Sequence, residues 1–234
     1  MGKFSMNIQH FKKSQIHALE RHNMRKNKNY SNDEIDESLS SQNKVLVGDV
    51  RSLLQDVNQY IEQNVDKSKS KITKNSIFVS SFVFTLPDSV PIEQSEQYFK
   101  DCISALEKLS KKGNIRQAVI HYDETTPHMH LSFVPLTIDS CLSRKRLFTK
   151  STLAKLQQKI ATELRDKGYN LELPECSKVK NYKSMKELKK RKSEIVEDIE
   201  TLKQIKKELA QGNLEVAEKY LSYVKEVIID DYSR

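Results

Sequence analysis

The spacing of hydrophobic and polar positions predicts three amphipathic helices in the middle of the chain, because apolar residues recur there every three or four positions. The predicted helices span residues 50–61, 95–112 and 151–167. Asp49 is a candidate N-cap for the first helix, since its side chain can accept a hydrogen bond from a free backbone N–H. Gly113 and Gly168 are candidate stop signals for the second and third helices.

Segments rich in β-branched and aromatic residues predict strands between these helices. The predicted strands span residues 77–85, 115–122 and 128–135. The last two strands are separated by only five residues, 123–127, and form a candidate hairpin. A further segment, Leu142–Phe148, is interpreted as a short strand or a basic loop. Strands alternating with helices, and a hairpin among them, indicate an α+β fold in which an antiparallel sheet is flanked by helices.

The two ends of the chain give weaker signals. Residues 1–48 are polar and show no clear period, so part of this segment is expected to order only with ligand. After Pro174 the chain becomes rich in Lys and Glu. Apolar residues recur there at intervals of seven, which predicts either a helix packed on the domain or a self-associating coiled coil that would make the chain a homodimer. The heptad positions are Leu188, Ile195, Leu202 and Leu209. Two domains are therefore predicted: 1–175, and a helical extension over 176–234.

Composition and charge narrow the choice of partner and compartment. The chain has 234 residues, a net charge of +8 and a pI of about 9.2, which favours polyanionic partners and nucleic acid first. Three cysteines form no pair with metal-ligand spacing, so a reducing cytoplasm is expected. No apolar run approaches the ~20 residues that span a bilayer. The N-terminal residues also lack the apolar stretch of a secretory signal.

Half of the six histidines lie within the ten residues 121–130. Side chains alternate between faces along a strand, so His128 and His130 are predicted to share one face, opposite Met129. The hairpin returns His121 close to His128. Three neutral imidazoles on one face suit a divalent transition metal, with further positions open to water or phosphate oxygens. The alternative is a polar hairpin whose histidines face solvent.

Two carboxylates, Asp123 and Glu124, follow the first of these histidines. A carboxylate beside histidines can orient them or accept a proton, whereas Asp123 can also cap the turn. Adjacent residues of an extended chain face opposite ways, so only one carboxylate is expected to serve the site. Glu124 is preferred because its side chain is longer.

Residues 121–130 read His-x-Asp-Glu-x-x-Pro-His-x-His, which resembles the metal motif of the Mob/Pre plasmid mobilisation relaxases, the MobV type of HUH nuclease. Two further anchors support the resemblance over residues 1–175. Residues 22–25, His-Asn-Met-Arg, are similar to the family's first motif, and Leu142–Phe148 is similar to the segment after the metal strand. The sequence departs from the family at Asn43-Lys44, where the family has Asn-Tyr.

The resemblance implies that His121, His128 and His130 hold Mn²⁺ or Mg²⁺ and that Glu124 lies beside the nucleophile. It also implies that His22 is the nucleophile. An imidazole with an ordinary pKa of ~6.5 is largely neutral at pH 7, whereas a tyrosine with a pKa near ~10 must be activated. The competing candidates for the nucleophile are His10, His17 and Tyr30.

The implied function is a site- and strand-specific nick at a plasmid origin of transfer, with the 5′-phosphate left on a histidine. Basic residues are the candidates for contacts with DNA phosphates. The preferred candidates are Arg25, Arg144, Lys145 and Arg146, followed by Lys67, Lys69, Lys71 and Lys74.

Three alternatives stay open at this point. A rolling-circle replication initiator has the same metal site and a downstream tyrosine, for which Tyr169 and Tyr182 are the candidates. A three-histidine metalloenzyme acting on small molecules needs a β-barrel with many strands. A DNA-binding protein without catalytic activity predicts neither metal binding nor an effect of substituting His22.

Overall fold

A computed structural model describes residues 1–174, apart from 28, 29, 31, 33 and 49–51, together with residues 203, 206, 207, 210 and 211. Backbone contacts divide the chain into two units, Met1–Val179 and Lys180–Arg234, and all of the elements below belong to the first. The four heptad positions of the predicted extension lie outside the described residues. The extension, its proposed self-association and the domain boundary at 175 therefore stay predictions.

The described residues up to 174 contain twelve strands and α-helices. They are β1 (Gly2–Lys3), β2 (Ser5–Lys12), α1 (Ile16–Asn23), β3 (Lys44–Val47), α2 (Leu53–Asn64), β4 (Ile77–Thr85), α3 (Ser95–Lys108), β5 (Ile115–His121), β6 (His128–Phe133), α4 (Arg144–Leu147), α5 (Lys150–Asp166) and β7 (Leu171–Glu172). Short 3₁₀ turns over Lys13–Gln15, Glu37–Gln42 and Ile92–Gln94 connect some of them.

Five strands form one antiparallel sheet in the order β2-β4-β6-β5-β3, and β1 pairs in parallel with β7. One face of the sheet packs against α3 and α5 through a large apolar cluster that contains Phe82, Phe84 and Met129. Helices α1 and α2 contribute to a second apolar cluster. This cluster also contains Val79 of β4 and Val134, which directly follows β6. The α+β fold class, an antiparallel sheet flanked by helices, is therefore confirmed.

The central strands agree well with the sequence pattern. Strand β4 covers the predicted 77–85, and β5 and β6 form the predicted hairpin, although they end at His121 and Phe133. Met129, Leu131 and Phe133 are almost fully buried, as their alternation with polar residues predicts. His121 is paired directly with His128 across the hairpin.

Two helix ends differ from the prediction. Helix α2 begins at Leu53 with Ser52 as its N-cap, so the assignment of Asp49 as N-cap is wrong. The side chain of Glu20 accepts a hydrogen bond from the backbone N–H of Leu53 (3.1 Å) and replaces a local cap. Helix α3 ends at Lys108 rather than at 112, because the following Leu109 is exposed and gains no burial from a further turn.

The two glycines predicted to stop helices lie at different distances from the helix ends. Gly113 lies beyond the end of α3, in the turn that leads into β5, and its φ of +85° explains why glycine is used there. Gly168, with a φ of +98°, directly follows Lys167, the C-cap of α5. The predicted third helix is confirmed to within one residue at each end.

The segment Leu142–Phe148 was expected to be a strand or a loop, and this expectation is wrong. Residues 144–147 form the short helix α4, whose N-cap, Ser143, accepts a hydrogen bond from the N–H of Arg146. Leu142 alone makes a β-bridge, with Leu136.

Residues 1–48 contain more regular structure than their polarity indicates, since β2, α1 and β3 all lie there. Strands β2 and β3 occupy the two edges of the five-stranded sheet, where half-exposed positions mask the alternation that marks a buried strand. Within the described residues, none of the helices is long and apolar enough to cross a membrane.

Candidate active site

Three histidine rings meet on the face of the β5–β6 hairpin opposite to the large core cluster. The ring centroids of His121 and His130 are 4.7 Å apart, those of His128 and His130 4.9 Å, and those of His121 and His128 5.2 Å. This convergence follows from the pairing of His121 with His128 and from the two-residue period of β6. The predicted grouping of the three side chains is therefore present.

Hydrogen bonds to backbone carbonyls fix which nitrogens of two rings carry a proton. His121 Nε2 lies 2.8 Å from the carbonyl oxygen of Asn23, and His128 Nδ1 lies 3.0 Å from that of Thr126. A carbonyl oxygen only accepts, so each of these nitrogens donates and the other nitrogen of each ring keeps its lone pair. These lone pairs are on His121 Nδ1 and His128 Nε2.

The remaining nitrogens have the character of metal ligands. His121 Nδ1 is buried and has no hydrogen-bond partner. His128 Nε2 and His130 Nε2 are 3.1 Å apart. Among the described residues, two sets of three side chains bring a ligand atom from each member within 4.8 Å of the others. These sets are His22, His121 and His130, and His121, Glu124 and His128. A buried nitrogen without a partner is costly unless a ligand uses it, so the arrangement fits a divalent metal ion.

Burial favours the neutral form of His121 and His130. It lowers the pKa of His121 to about 3 and the pKa of His130 well below its usual value, and the neighbouring His128 lowers both further. Only a neutral imidazole can bind a metal, so both rings are in the protonation state that metal binding requires.

The ring of His22 lies beside the histidine rings of the hairpin. This residue is on the last turn of α1, and its ring centroid is 5.0 Å from that of His130 and 5.9 Å from that of His121. The ring is half-buried, and burial, followed by the charge of Arg25, lowers its pKa. His22 is therefore a neutral imidazole beside the group that the metal motif predicts.

The end of α1 is bound to the hairpin through Asn23, which the sequence reasoning did not single out. Its side-chain amide donates to Gln117 Oε1 (2.9 Å), and its carbonyl accepts from His121. Both Asn23 and Gln117 are buried. The position of Asn23 directly after His22 was the available signal.

The two carboxylates after His121 share one guanidinium. Arg25 donates to Asp123 through Nε (2.8 Å) and Nη2 (2.7 Å), and the same Nη2 lies 2.6 Å from Glu124 Oε1. Glu124 Oε1 in turn lies 3.7 Å from His128 Nε2 and 4.0 Å from His121 Nδ1. Glu124 thus lies close to two of the histidines, whereas Asp123 binds Arg25, Ser40 and Asn43; that Glu124 serves the site stays a prediction.

Asp123 does more than cap a turn. Its carboxylate also accepts hydrogen bonds from Ser40 Oγ (2.6 Å) and Asn43 Nδ2 (2.7 Å). Burial alone would raise the pKa of Asp123, but the hydrogen bonds from Arg25, Ser40 and Asn43 outweigh it and lower the pKa well below the ordinary value. Ser40 and Asn43 were not predicted as contacts, because some 80 residues separate them from Asp123.

The position where the sequence departs from the family pattern lies beside this network. Asn43 Oδ1 accepts the N–H of Tyr122 (2.7 Å), so Asn43 joins the start of β3 to the hairpin. The next residue, Lys44, instead forms an exposed ion pair with Glu96 (2.7 Å) in the first turn of α3.

The competing nucleophile candidates lie in different surroundings. His10 shares a hydrogen bond with Ser80 (3.0 Å) and stacks on Phe148, which belongs to the large core cluster. His17 is exposed on α1. The ring of Tyr30 lies 5.7 Å from the guanidinium carbon of Arg25.

The preferred candidates for DNA contacts differ in their surroundings, because the side chain of Arg25 is buried whereas the other three lie on the short helix α4. The side chain of Arg25 is 6% exposed and is engaged by the two carboxylates. Arg144, Lys145 and Arg146 lie together on α4, where Arg146 forms an exposed ion pair with Asp139 (2.9 Å). Contacts of any of these residues with DNA stay predictions.

Comparisons with known proteins agree with this geometry. The sequence model of the plasmid recombination enzyme (Mob/Pre) family matches residues 1–189. A plasmid recombination enzyme of Bacillus thuringiensis is 34% identical over 215 residues, which are 89% of this chain and 47% of the relative. A type 1 plasmid recombination enzyme of Staphylococcus aureus is 33% identical over 208 residues, 86% of this chain and 51% of the relative. The chain thus spans about half the length of the curated relatives it matches.

Solved structures show the same fold. The relaxase domain of MobM, with Mn bound and in complex with origin-of-transfer (oriT) DNA of plasmid pMV158, matches with a TM-score of 0.74 and 24% identity. The match covers 81% of this chain and 98% of that domain. A second structure of that complex matches with a TM-score of 0.72 and 25% identity over 81% of this chain and 99% of the other.

Proposed function

Because the chain belongs to the plasmid recombination enzyme (Mob/Pre) family, we propose that it is a plasmid mobilisation relaxase. Its reaction is a metal-dependent, site- and strand-specific nick at an origin of transfer, after which the 5′-phosphate is attached to a histidine. The observation that carries the proposal is the position of His22, a neutral imidazole whose ring is 5.0 Å from that of His130. The proposed nucleophile and the nitrogens proposed to bind the metal thereby lie at one site.

We propose that His121, His128 and His130 hold the metal, Mn²⁺ or Mg²⁺. The buried, unpartnered Nδ1 of His121 and the adjacent Nε2 atoms of the other two rings support this assignment. The Mn-bound MobM structures favour Mn²⁺. When bound, the metal supplies a positive charge that polarises the scissile phosphate.

His22 is the proposed nucleophile. Its neutral ring attacks the scissile phosphorus, an N–P bond forms, and the bond from phosphorus to the 3′-oxygen breaks. The imidazolium loses the proton on its other nitrogen, and the leaving oxygen gains one as a 3′-hydroxyl. The attached strand end is a 5′-phosphoramidate, and attack by the 3′-hydroxyl reverses the step without ATP.

Glu124 is proposed to orient the site. Its Oε1 lies within 4.0 Å of both His121 and His128, close enough to hold their rings or to receive a proton. The partner is plasmid DNA, with Arg25, Arg144, Lys145 and Arg146 as the proposed phosphate contacts. The cytoplasm is the proposed compartment, and the C-terminal extension the proposed route to a homodimer.

Specific contacts oppose two of the alternatives. The hydroxyl of Tyr169 donates to Asp101 (2.8 Å), and its ring packs against the large core cluster, on the face of the sheet away from the histidines. This position does not suit the tyrosine of a rolling-circle initiator, and the other candidate, Tyr182, lies outside the described residues. The five-stranded open sheet of the described residues likewise does not suit a barrel-shaped three-histidine enzyme.

The test is incubation with supercoiled plasmid that carries a matching origin of transfer, in the presence of Mn²⁺. We expect nicked circles with protein on the 5′ end, and we expect His22→Ala to abolish the adduct while Tyr30→Phe retains it. Exposed His17→Ala is the matched control within α1 and is expected to retain full activity. An adduct that persists in His22→Ala would show that another residue is the nucleophile, and its loss in Tyr30→Phe would identify that residue.

A further inference from the structure

Asp123 and Glu124 both form ion pairs with Arg25. Asp123 is fully buried and binds Arg25 through two nitrogens, whereas Glu124 receives one hydrogen bond from Nη2. The oxygen of Glu124 that receives this bond, Oε1, is also the oxygen that faces His121 and His128. Asn32 holds the other oxygen, Oε2 (2.9 Å), so the position of Arg25 acts on the charge of Oε1, which faces the histidines.

We propose that Asp123 is a positioning residue that holds Arg25 by a two-point ion pair and thereby keeps the Glu124 carboxylate available to a metal bound at the histidines. The inference rests on the proposed function, because it assigns a role at the same site.

Charge counting supports the proposal. Two carboxylates and one guanidinium carry a net charge of −1, and that remaining negative charge lies next to the metal-binding nitrogens. If Asp123 lost its charge, Arg25 would keep Glu124 as its one carboxylate partner within the described part of the chain, and that pair would be neutral. A neutral pair attracts a cation less, so the affinity for metal would fall.

The surroundings of Asp123 show that its orientation is built into the fold. Ser40 and Asn43 donate to the carboxylate from the loop before β3, and the backbone N–H of Asp36 donates to its carbonyl oxygen (2.8 Å). These contacts orient the carboxylate toward Arg25, which lies two residues beyond the end of α1. The network joins three segments that are distant in sequence. Through Arg25 it also positions Glu124, which lies close to His121 and His128.

The experiment is a double-mutant cycle read out by Mn²⁺ binding to the DNA-free protein, measured by calorimetry or by the EPR signal of free Mn²⁺. We expect Asp123→Asn to weaken Mn²⁺ binding by roughly 10- to 100-fold, the range typical of residues that support metal ligands. Combining it with Arg25→Gln removes the cation that Asp123 holds. We therefore expect the double variant to bind Mn²⁺ within about 3-fold of the wild type, a smaller loss than the range for supporting residues.

Asp101→Asn is the matched control, since Asp101 is also a buried carboxylate, paired with Lys167 and Tyr169 away from the site. We expect it to leave Mn²⁺ binding unchanged. Equal losses in Asp101→Asn and Asp123→Asn would mean that any damage to the fold weakens the site, and would overturn the proposal. A double variant no better than Asp123→Asn would overturn it as well, because a purely structural role predicts no rescue.

The double variant removes both charges of the buried Asp123–Arg25 pair together, so it is expected to fold even if Asp123→Asn does not. In that case, near-normal Mn²⁺ binding supports the proposal and a loss of tenfold or more overturns it. A wild-type protein that binds Mn²⁺ but nicks no DNA would refute the proposed function. The double-mutant cycle would still test the role of Asp123, because it measures Mn²⁺ binding alone. A wild-type protein that binds no Mn²⁺ would overturn the inference.

Discussion

The contact between Asn23 and Gln117 makes a quantitative prediction, because it is a buried hydrogen bond that joins the helix of the proposed nucleophile to the hairpin of the proposed metal ligands. Asn23 is 1% exposed and Gln117 4% exposed, and their amides are 2.9 Å apart. Asn23→Ala leaves the oxygen of Gln117 buried without this donor. An unsatisfied buried polar group costs about 1–3 kcal/mol.

For a domain of this size, each kcal/mol corresponds to about 2–4 °C in melting temperature, so we expect Asn23→Ala to lower it by roughly 2–12 °C. We expect Gln117→Ala to have a similar effect, since it leaves the amide of Asn23 unsatisfied. The double variant should be more stable than the sum of the single losses predicts, with a coupling of about 1 kcal/mol, because removing both partners leaves no orphaned group.

Thermal unfolding followed by circular dichroism measures these values, and the plasmid-nicking assay at a temperature where all variants are folded measures the consequence for the site. Nicking should fall in Asn23→Ala, since His22 loses one of the contacts that hold it beside His130. Strictly additive stability losses, or single variants as stable as the wild type, would refute the argument that this bond holds α1 to the hairpin.

Three further predictions concern metal, pH and packing. Mn²⁺ at a hundred times its dissociation constant should stabilise the wild type by about 2.7 kcal/mol in thermal unfolding, and His121→Ala should abolish this gain; an equal gain in both proteins would place the metal elsewhere. Burial, followed by the charge of Arg144, lowers the pKa of His10 to about 4. Because the unfolded chain takes up this proton first, His10 should reduce stability as the pH falls from about 6.5 to about 4. In denaturant titrations, the stability of His10→Gln relative to the wild type should rise by about 1 kcal/mol across that window. The amount is small because the ring is partly exposed to solvent. A constant difference in stability between the two proteins would exclude this role. Phe82 is fully buried among three aromatic rings, so Phe82→Ala should cost about 3–5 kcal/mol in the same titrations, and a loss below 1 kcal/mol would contradict the assigned core.

The sequence predicts the central strands well because a single physical cause dominates there. Along β6 each residue faces either the core or the site, so Met129 and Leu131 alternate with His128 and His130 and the pattern is easy to read. The convergence of the three histidines follows from that alternation together with a five-residue loop. The grouping of His22 with them was implied only by family resemblance, since no local pattern connects residues about 100 positions apart.

The elements that the sequence missed are those stabilised by tertiary contacts. Helix α2 is capped by Glu20 from another helix, so its start is invisible in its own local sequence. The short helix α4 is too brief to show a helical period. The pairing of Arg25 with Asp123 is equally hidden, because the motif places both near the site but does not indicate that they neutralise each other.

The direct pairing of His121 with His128 also limits how this site can change during evolution. A shift of β6 by one residue along its neighbours would turn both of its histidines into the core and bring Met129 and Leu131 onto the site face. Productive shifts must therefore occur in steps of two residues, or about 7 Å along the strand. A step of that size would separate the histidines of β6 from His22, which α1 holds in place through Asn23. In this fold the register of the hairpin is therefore constrained by the core and by the helix at once.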